Sequence, residues 1–573
     1  MKMKFLQIAA TILIILLVTF VLQSCKVKTD PGPGESFTES GIEIIKASDP
    51  SMAPLLSDER RDTLVFPALD FSGCFNPIFT YSDMDSVIMR LLFEGLNDIT
   101  SSGEITDGIA DMKISADMLK YTFTIKNNVK FFDGTPVTSQ DVEFVYYILH
   151  DTNYTGNIDV LKYKIKGGKD YFNLKSNKIS GIRIINERQI EFTLEEPCSE
   201  AAYLFTTPII SYAYYGEDYI QGNSSYMDNL KGFPGKPMGS GQYMLDKYEA
   251  GQYISLVSND AYRKAAPLIP NVKVLLSVGD YIDEISEGNV DICFLPMSED
   301  LKNIVKSQGF ININIYPQNS YGYIGFNNEN DILSDGRVRR ALSYAVNKDD
   351  IIRNLFDGYA VKLSIPAGIL SWAYSETDDY DFDLEKAASI LNDSGWIMNS
   401  DGLRYKNGDV FSLDFYAVND QKPVDILCPI LQNDFVSLGI QLNIVYISMD
   451  DLLNAINDKS CDMWFCGSVL PPDPSISDFF GTEGSLNKLS FGDSELDGLC
   501  KQLAQEANTK RQIEIYRDIY TFINKDNPCI PLYEQQWACL SNSRVSGLNI
   551  STFRPWTADM WQMNIGSAAT GNI

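Results

Sequence analysis

Strand-like and helix-like segments alternate along the whole of this chain, and no short internal repeat relates them. The chain has 573 residues, more than a single hydrophobic core usually holds, so two or three lobes are expected. The lack of a repeat argues against solenoids and propellers. Interleaved strands and helices therefore predict a mixed α/β protein built from more than one lobe.

Three helices and several strands can be placed from local patterns. A capping box of Thr138 and Asp141 begins the first helix. A second helix is expected near Asp335, and a third from about Asp383 to Gly395, because glycine commonly ends a helix in the left-handed conformation. Strands are predicted at residues 121–125, 190–194, 254–257, 272–276, 321–326, 411–416 and 441–446.

The first 25 residues have the pattern of an export signal. A basic start precedes a largely apolar stretch at residues 5–22, and a small residue follows. Residues 22–25 resemble the lipobox of bacterial lipoproteins, in which the final cysteine, here Cys25, receives diacylglycerol. An uncleaved transmembrane anchor is the alternative, because the apolar stretch is near the shortest length that spans a bilayer. Both interpretations place the folded part outside the cytoplasm, after a polar linker at residues 26–40.

The chain is strongly acidic, with a formal net charge of −29. Nucleic acid and bare anionic lipid are therefore disfavoured as partners, because both need a basic surface. A cationic solute would be attracted, although surface acidity also serves solubility alone. The sequence contains no Gly-x-x-x-x-Gly-Lys-Ser/Thr phosphate-binding loop, so an ATPase that works with this chain would be a separate polypeptide.

Side chains that are common in catalysis and metal binding are scarce. His150 is the only histidine, which excludes most nucleophilic triads and multi-histidine zinc sites, and its position after an apolar run indicates a helix C-terminus. Of the ten cysteines, nine remain when Cys25 is set aside, and this odd, dispersed set predicts free buried thiols. Cys461 and Cys466 have no nearby partners to complete a metal site. No catalytic residue, metal or cofactor is therefore predicted.

An ordered set of segments, covering nearly all of the chain after the linker, resembles one protein family. The segments are Leu92-Phe-Glu-Gly-Leu96, residues 121–142, Pro237-Met-Gly-Ser-Gly-Gln-Tyr243, residues 259–262, 326–328, 334–347, 385–396 and 438–440, Pro471-Pro-Asp-Pro474 and Ile530-Pro-Leu-Tyr533. The set resembles the extracytoplasmic solute-binding proteins of oligopeptide and dipeptide ABC importers, known as family 5. One such segment would be weak evidence, whereas the whole set in this order is specific.

This resemblance implies an α/β fold, a two-lobed clamshell like that of type II periplasmic binding proteins, with an additional inserted domain. The two lobes of such proteins close around a ligand by a hinge motion. The chain would cross between the lobes near residues 318 and 531. Lobe I would comprise residues 41–95, 190–318 and 531–566, the inserted domain residues 96–189, and lobe II residues 319–530.

The function that the resemblance implies is solute capture without catalysis. The chain would be a lipid-anchored receptor, monomeric and held through Cys25 on the extracytoplasmic face of a bacterial cell membrane. It would bind an oligopeptide or another small solute and deliver it to the permease subunits of an ABC importer.

Eight residues are candidates for ligand contact because of their positions within the family's motifs. A cleft that accepts varied solutes needs aromatic walls, amide groups and water rather than one specific pocket. For each candidate, packing in the core or at the hinge is the alternative role. The candidates are Tyr81, Asp83, Tyr154, Phe294, Tyr323, Asn327, Ser468 and Asp473.

The chain departs from the family's pattern just before its Pro-Asp-Pro turn. Peptide-binding members commonly carry an aspartate here that pairs with the α-ammonium group of the ligand, whereas residues 467–471 contain no acid. Losing that partner would remove a charge-assisted hydrogen bond of about 1.5–3 kcal/mol. Either another acid such as Asp83 or Asp473 takes this role, or the ligand has no free amine. Asp473 alternatively caps its proline turn.

Three other functions remain open at this point. The same fold also serves oligosaccharides, which would stack on Trp372, Trp464 or Trp537, and metal chelates, which the scarcity of histidine disfavours. A secreted carboxylate-dependent hydrolase would need two acids that converge in a cleft. A signalling receptor would bind a peptide without transporting it.

Overall fold

The computed structural model describes residues 35–37 and 41–566, with the exception of residues 81, 234 and 475. The predicted export signal, the lipid-attachment residue Cys25 and the candidate Tyr81 therefore lie outside the described residues. Within the part of the chain that is described, no helix is both long enough and apolar enough to cross a membrane.

Strands occur throughout the described chain. They are β1 (Glu35–Phe37), β2 (Glu43–Ile45), β3 (Thr63–Pro67), β4 (Asn97–Ile99), β5 (Ile105–Asp107), β6 (Ala110–Ile114), β7 (Lys120–Ile125), β8 (Ile182–Asn186), β9 (Gln189–Thr193), β10 (Tyr243–Glu249), β11 (Tyr253–Ser258), β12 (Asn271–Leu275), β13 (Ile292–Pro296), β14 (Ile311–Phe326), β15 (Ala360–Lys362), β16 (Ile397–Met398), β17 (Arg404–Lys406), β18 (Asp409–Val410), β19 (Ser412–Val418), β20 (Gln441–Ile447), β21 (Met463–Val469), β22 (Cys529–Asn542), β23 (Val545–Ser546) and β24 (Asn564–Ile565). Every strand predicted from the sequence is confirmed, and β14 begins earlier than expected.

Helices alternate with these strands, as the pattern of the sequence predicts. The α-helices are Leu55–Glu59, Asp83–Leu92, Ser139–Leu149, Gly168–Phe172, Ala201–Leu204, Tyr212–Tyr215, Ser224–Lys231, Tyr281–Ser286, Glu299–Gln308, Gly336–Tyr344, Lys348–Phe356, Leu384–Asp393, Lys422–Ser437, Met449–Asn457, Ile476–Phe480, Ser494–Ala504 and Thr509–Asp526. Short 3-10 helices are Pro50–Met52, Pro77–Phe79, Val160–Tyr163 and Trp556–Gln562.

The three predicted helices are confirmed together with the residues that begin and end them. Thr138 and Asp141 form the reciprocal capping box, and His150 closes the same helix by placing its Nδ1 2.7 Å from the Tyr146 carbonyl. The second helix follows the N-cap residue Asp335. The third ends just before Gly395, whose φ of +87° is in the left-handed region.

One large sheet contains the two longest strands, β14 and β22, as antiparallel neighbours. Their pairing is regular up to Pro317 and Gln536 and resumes, after a shift of register, at Tyr321 and Glu534. Before the shift the outer neighbours are β2 and β13, and after it they are β21 and β15. Two halves of the sheet, each with its own neighbours, are therefore joined through β14 and β22.

The edge of the first half of this sheet is formed by β1, which pairs with β2. The linker predicted at residues 26–40 is thus not wholly without secondary structure. Its residues 35–37 add to the sheet because the backbone of β2 offers a free edge, a feature that polar composition cannot reveal.

Separate apolar cores identify two lobes. One core joins β3, β10, β11 and β12 with the helix Asp83–Leu92 and with the sheet formed by β6 to β9. The other lobe has cores of its own, around the helices Gly336–Tyr344 and Lys422–Ser437 and around the helix Thr509–Asp526. The predicted two-lobed α/β fold is confirmed, although the inserted unit shares its core with the first lobe.

Strand pairing bears on two of the predicted boundaries. β9 pairs along its length with β7 and β8 and continues in a bridge between Leu194 and Ile165, so the sheet of the predicted inserted unit extends past residue 189. The predicted first crossing, near residue 318, is next to the register shift. On β22 the residue opposite that shift is Gln535, and Pro531 still pairs with Tyr323 in the second half of the sheet.

The cysteines are as the sequence predicts. All nine in the described residues are free thiols, and each is buried or half-buried. Burial raises the pKa of Cys293 and of Cys529 to about 12, so both remain protonated at neutral pH. They behave as small apolar core residues.

A buried ion pair connects distant parts of the first lobe. Asp291, which precedes β13, accepts two hydrogen bonds of 2.9 Å from Arg544 and one of 3.0 Å from Arg60. It also accepts the backbone N–H of Val65 on β3 at 2.8 Å. The side chains of Asp291 and Arg544 are fully buried, so each depends on the other for compensation of its charge.

We expect Asp291→Asn to lower the free energy of unfolding by about 3–5 kcal/mol, because it leaves the Arg544 charge buried without a partner. Urea denaturation followed by tryptophan fluorescence measures this. Asp283→Asn, which changes an exposed acid of the same lobe, is the control and should stay within about 0.5 kcal/mol of the parent. Equal denaturation midpoints for the two variants would contradict the assignment.

Candidate functional site

A cavity of about 540 Å³ lies where the two lobes meet. Its wall is formed mainly by the stretches 77–99, 157–163 and 203–208, with Arg554 and Pro555 from the end of the chain and Asp473 from the second lobe. This volume is within the range of roughly 300–1,000 Å³ that is typical of small-molecule sites. The cavity is therefore the candidate functional site.

One end of the cavity carries a network of fixed charges. The Asp98 carboxylate is held between the guanidinium groups of Arg90 and Arg554, with 3.0 Å between its Oδ2 and Nη2 of Arg554. Burial alone would raise the Asp98 pKa, but the two positive charges outweigh burial and lower it to about 2. Arg554 also pairs with Asp559. Arg90 lines the cavity, so its remaining N–H donors are available to an anionic group of a ligand.

Another part of the cavity wall carries an ion pair between the lobes. Lys162, from the inserted unit, has its Nζ 3.8 Å from Asp473 and 3.7 Å from Asp478, both in the second lobe. Burial would lower the Lys162 pKa, but the charges of Asp473, Glu200 and Asp478 outweigh it and raise the pKa. A protonated lysine therefore faces two carboxylates across the gap between the lobes.

Trp372 makes a second connection between the lobes. Its indole N–H donates to the Tyr203 hydroxyl at 3.1 Å, and its backbone N–H donates to the Ser102 carbonyl at 3.0 Å. Tyr203 lines the cavity and itself donates to the Gly103 carbonyl at 2.7 Å. The lobes are thus in direct contact beside the cavity.

The face of the sheet at the lobe junction carries polar and aromatic side chains. Ser468 on β21 is opposite Tyr321 on β14, which in turn is opposite Glu534 on β22. The rings of Tyr321 and Tyr323 are stacked with 5.4 Å between centroids. Glu534 has no solvent exposure. These residues form a row across three neighbouring strands, next to the register shift.

The structure brings several of the predicted site residues to the lobe junction. Asp473 lines the cavity, and Tyr323 and Ser468 lie on the junction face of the sheet. Tyr154 is behind the cavity wall, where its hydroxyl donates to the Ile78 carbonyl at 2.7 Å. These positions are compatible with a role in the cleft, and Tyr154 also has a packing role.

Other predicted site residues lie apart from this group. Phe294 packs in the first lobe, with its ring 6.0 Å from that of Trp556. Asp83 is exposed in the first turn of its helix. Asn327 lies at the end of β14, where its side chain donates to the Lys459 carbonyl at 3.2 Å and its backbone N–H to the Asp462 carbonyl. Neither Asp83 nor Asn327 contributes to the wall of the cavity.

Several residues at the junction were not found by sequence reasoning. In the sequence, nothing distinguishes Arg90, Arg554 and Lys162 from the many other charged residues. Only the fold brings them to the cavity wall. The sequence does contain an indication that Glu534 is unusual. It is the only charged residue in the whole of β22, and it directly follows the motif at 530–533. An acid within an otherwise uncharged strand is unusual in a buried sheet.

Two alternative ligand classes can be compared with the structure. Trp464 is buried in the core of the second lobe, so it is not available to stack on a sugar in this arrangement. Among the described side chains, no cluster of three or more His, Cys, Asp or Glu residues is arranged to hold a metal ion.

Comparison with known proteins identifies similar sequences. A family model described as "Bacterial extracellular solute-binding proteins, family 5 Middle" matches residues 104–487. Oligopeptide-binding protein AppA of Bacillus subtilis is 26% identical over 490 residues, covering 82% of this chain and 86% of that protein. Heme-binding protein A of Haemophilus influenzae is 23% identical over 504 residues, with coverages of 81% and 87%. The dipeptide-binding protein of Escherichia coli is 23% identical over 524 residues, with coverages of 86% and 93%.

Solved structures share the fold. The unliganded open form of the periplasmic murein tripeptide binding protein MppA has a TM-score of 0.75 at 19% identity, covering 88% of this chain and 98% of that one. NikZ of Campylobacter jejuni, in complex with Ni(L-His), has a TM-score of 0.63 at 23% identity, with coverages of 88% and 99%. These similarities confirm the clamshell.

We expect Asp98→Asn to destabilise the fold by about 3 kcal/mol at pH 6, because two guanidinium groups lose their shared carboxylate in a largely buried position. The Asp98 pKa is about 2 in the folded chain against 3.8 for an ordinary aspartate. Its stabilisation is therefore complete above about pH 4 and is lost as the pH falls towards 2. The difference in melting temperature between the parent and Asp98→Asn should therefore become smaller as the pH falls from about 4 towards 2.

The control is Asp111→Asn on β6, where an exposed acid lies 3.7 Å from Lys126. It should change stability by less than about 1 kcal/mol. A difference between parent and Asp98→Asn that stays constant from pH 6 to pH 2 would contradict the account of Asp98.

Proposed function

The chain belongs to the bacterial extracellular solute-binding proteins of family 5, and we propose that it is the solute-binding receptor of an ABC import system whose ligand is an oligopeptide. Members of this family are transport binding proteins rather than enzymes, and the relatives described above include oligopeptide-binding and dipeptide-binding proteins. What we propose for this chain is the class of its ligand, its permease partner and its attachment to the membrane by a lipid.

The observation that supports the proposal most is the cavity between the lobes. Its wall includes guanidinium and ammonium groups as well as carboxylates, all fixed by ion pairs. A peptide carries a charge of each sign at its two ends, so a site with fixed charges of both signs can orient it. The volume of about 540 Å³ suits a small solute.

Capture would occur by closure of the two lobes about the register shift between β14 and β22. Lobe I would comprise residues 41–95, 195–318 and 535–566, the inserted unit residues 96–194, and lobe II residues 319–534. The ligand gains contacts with both lobes only when they meet, so it favours the closed state by its difference in affinity for the two states. The permease would then recognise the closed form.

We further propose that the chain acts as a monomer at the extracytoplasmic face of the cell membrane, anchored by a lipid on Cys25. The pattern at residues 1–25 supports this, with a basic start, an apolar stretch and a cysteine after a small residue. A non-peptide solute is the second candidate, since some relatives and neighbours bind heme or a nickel complex.

Calorimetric titration tests the peptide proposal. The purified mature chain is titrated with a defined set of peptides from two to nine residues, and in parallel with heme, a nickel–histidine complex and neutral oligosaccharides. We expect saturable binding of peptides, recovery of the peptides unchanged, and a smaller radius of gyration on binding. Binding of a chelate or a sugar with no binding of any peptide would overturn the peptide assignment.

A conservative change at Trp372 tests closure. Trp372→Phe keeps a ring packed on Tyr516 but loses the hydrogen bond to Tyr203 in the other lobe. Because this bond exists only when the lobes touch, we expect ligand affinity to fall roughly fivefold. The control Tyr446→Phe removes a hydroxyl from an exposed ring on β20 and should leave affinity unchanged. Equal affinity of Trp372→Phe and the parent would contradict the role of this contact in closure.

A further inference from the structure

A buried carboxyl group without a cationic partner lies at the junction of the lobes. Glu534 is fully buried on β22, and its Oε2 accepts a hydrogen bond of 3.3 Å from the backbone N–H of Ile369. Its Oε1 is buried and has no hydrogen-bond partner. Within the described residues, no lysine, arginine or histidine forms an ion pair with it. Burial raises its pKa to about 8, so the group is held neutral in the absence of a cation.

Such a group is not explained by the packing of the fold. Buried polar atoms nearly always have hydrogen-bond partners, and leaving one unpaired lowers the stability of the fold. A buried oxygen without a hydrogen-bond partner therefore calls for an explanation. A leucine or methionine would fill the same space without that cost. The carboxyl oxygen that lacks a partner is therefore the strongest candidate in this region for contact with something that the chain itself does not supply.

Gly368, which lies next to Glu534, has neighbours from both lobes. A Cβ placed on Gly368 would lie 2.9 Å from Oε1, 3.3 Å from the Phe553 ring and 3.6 Å from Leu470. Gly368 and Leu470 belong to the second lobe, whereas Phe553 belongs to the terminal segment of the first. If the lobes opened, Phe553 would move away from Gly368, and the cover on this side of Glu534 would become thinner.

A short series of packed residues separates Glu534 from the cavity, and Glu534 itself is not part of the cavity wall. Gly103 accepts a hydrogen bond from Tyr203, which lines the cavity, and a Cβ on Gly103 would lie 3.4 Å from Phe553. Phe553 is in turn near Gly368 beside Glu534. Gly103, Phe553 and Gly368 therefore lie between the cavity wall and the carboxyl group.

We propose that Glu534 is the residue that binds the cationic group of the ligand, a primary ammonium or a guanidinium, when the lobes close. This rests on the proposed function, because it takes the junction of the lobes to be the ligand site. Residues 467–471 contain no acid, but Ser468 stands in the same cross-strand row as Glu534 with only β14 between them. A carboxylate two strands away supplies the missing negative charge.

The two acids considered from the sequence are less suited to this role. Asp473 faces the Lys162 ammonium group at 3.8 Å, and Asp83 is exposed at the surface. Glu534 differs from both because it is enclosed and its Oε1 is unpaired. A charge-assisted hydrogen bond is strongest in such an enclosed place.

The test compares each peptide with its amino-terminally acetylated form by calorimetry. We expect the parent to bind the free-amine form about tenfold or more tightly than the acetylated form, the factor that a charge-assisted hydrogen bond provides. Glu534→Gln, which keeps the shape and removes the charge, should bind both forms equally and should bind the acetylated form as well as the parent does. Equal preference in the variant and the parent would overturn the proposal.

Two matched variants separate this role from competing ones. Asp473→Asn tests the other acid, and loss of the free-amine preference in that variant alone would overturn the proposal. Glu299→Gln removes an equal charge from an exposed acid that accepts a hydrogen bond from Tyr359, and it should keep the preference. Thermal melting of each unliganded variant checks that it is folded. Glu534→Asp keeps the charge, so it should retain part of the preference for the free-amine peptide even if Glu534→Gln is unstable.

Failure of the proposed function would be recognised separately. If the parent binds no peptide, the same variants are titrated with simple amines and guanidines, such as putrescine and agmatine. Binding of an amine that Glu534→Gln abolishes would support the role of Glu534 while the peptide assignment fails. If no amine or guanidine binds either, the role of Glu534 is overturned as well.

Discussion

The pairing of β14 with β22 is the interaction on which the rest of the structure depends. Among the described residues, these two strands connect the halves of the central sheet, and each half adds its own outer strands. The hydrogen-bonded ladder is interrupted between Pro317 and Tyr321, and this is where we propose that the two parts of the sheet change their mutual angle. Tyr321, Ser468 and Glu534 lie beside this interruption, so the same irregularity would position both the proposed hinge and the residues next to it.

Charges at the lobe junction differ in how completely they are compensated. Asp98 is shared by two guanidinium groups, and Lys162 faces two carboxylates of the opposite lobe. Glu534 is buried, and no ion pair with a lysine, arginine or histidine of the described residues compensates it. In a chain with a net charge of −29, each of these cations is paired with at least one carboxylate, whereas the Glu534 carboxyl group has no cation beside it.

Most of the fold could be predicted from the sequence, but little of the candidate site. Helix starts such as that at Thr138 and Asp141 are decided by residues a few positions apart, so local patterns predict them. The end of the inserted unit and the second crossing point depend on strand partners far away in sequence, so local patterns give little information about them. Tyr323 and Ser468 come close only through the pairing of β14 with β21. Glu534 is one acid among 76 until the fold shows that it is buried.

The apolar core shared by the first lobe and the inserted unit determines which parts of the molecule move together. Aromatic side chains such as Phe66 and Phe205 lie with Tyr121 in one uninterrupted interior, so separating the two units would expose a large apolar surface to water. On the proposed closure of the lobes, the first lobe and the inserted unit would therefore move as one rigid body. The part of the cavity wall that these two units contribute would keep its shape, and only the second lobe would change its position relative to the ligand.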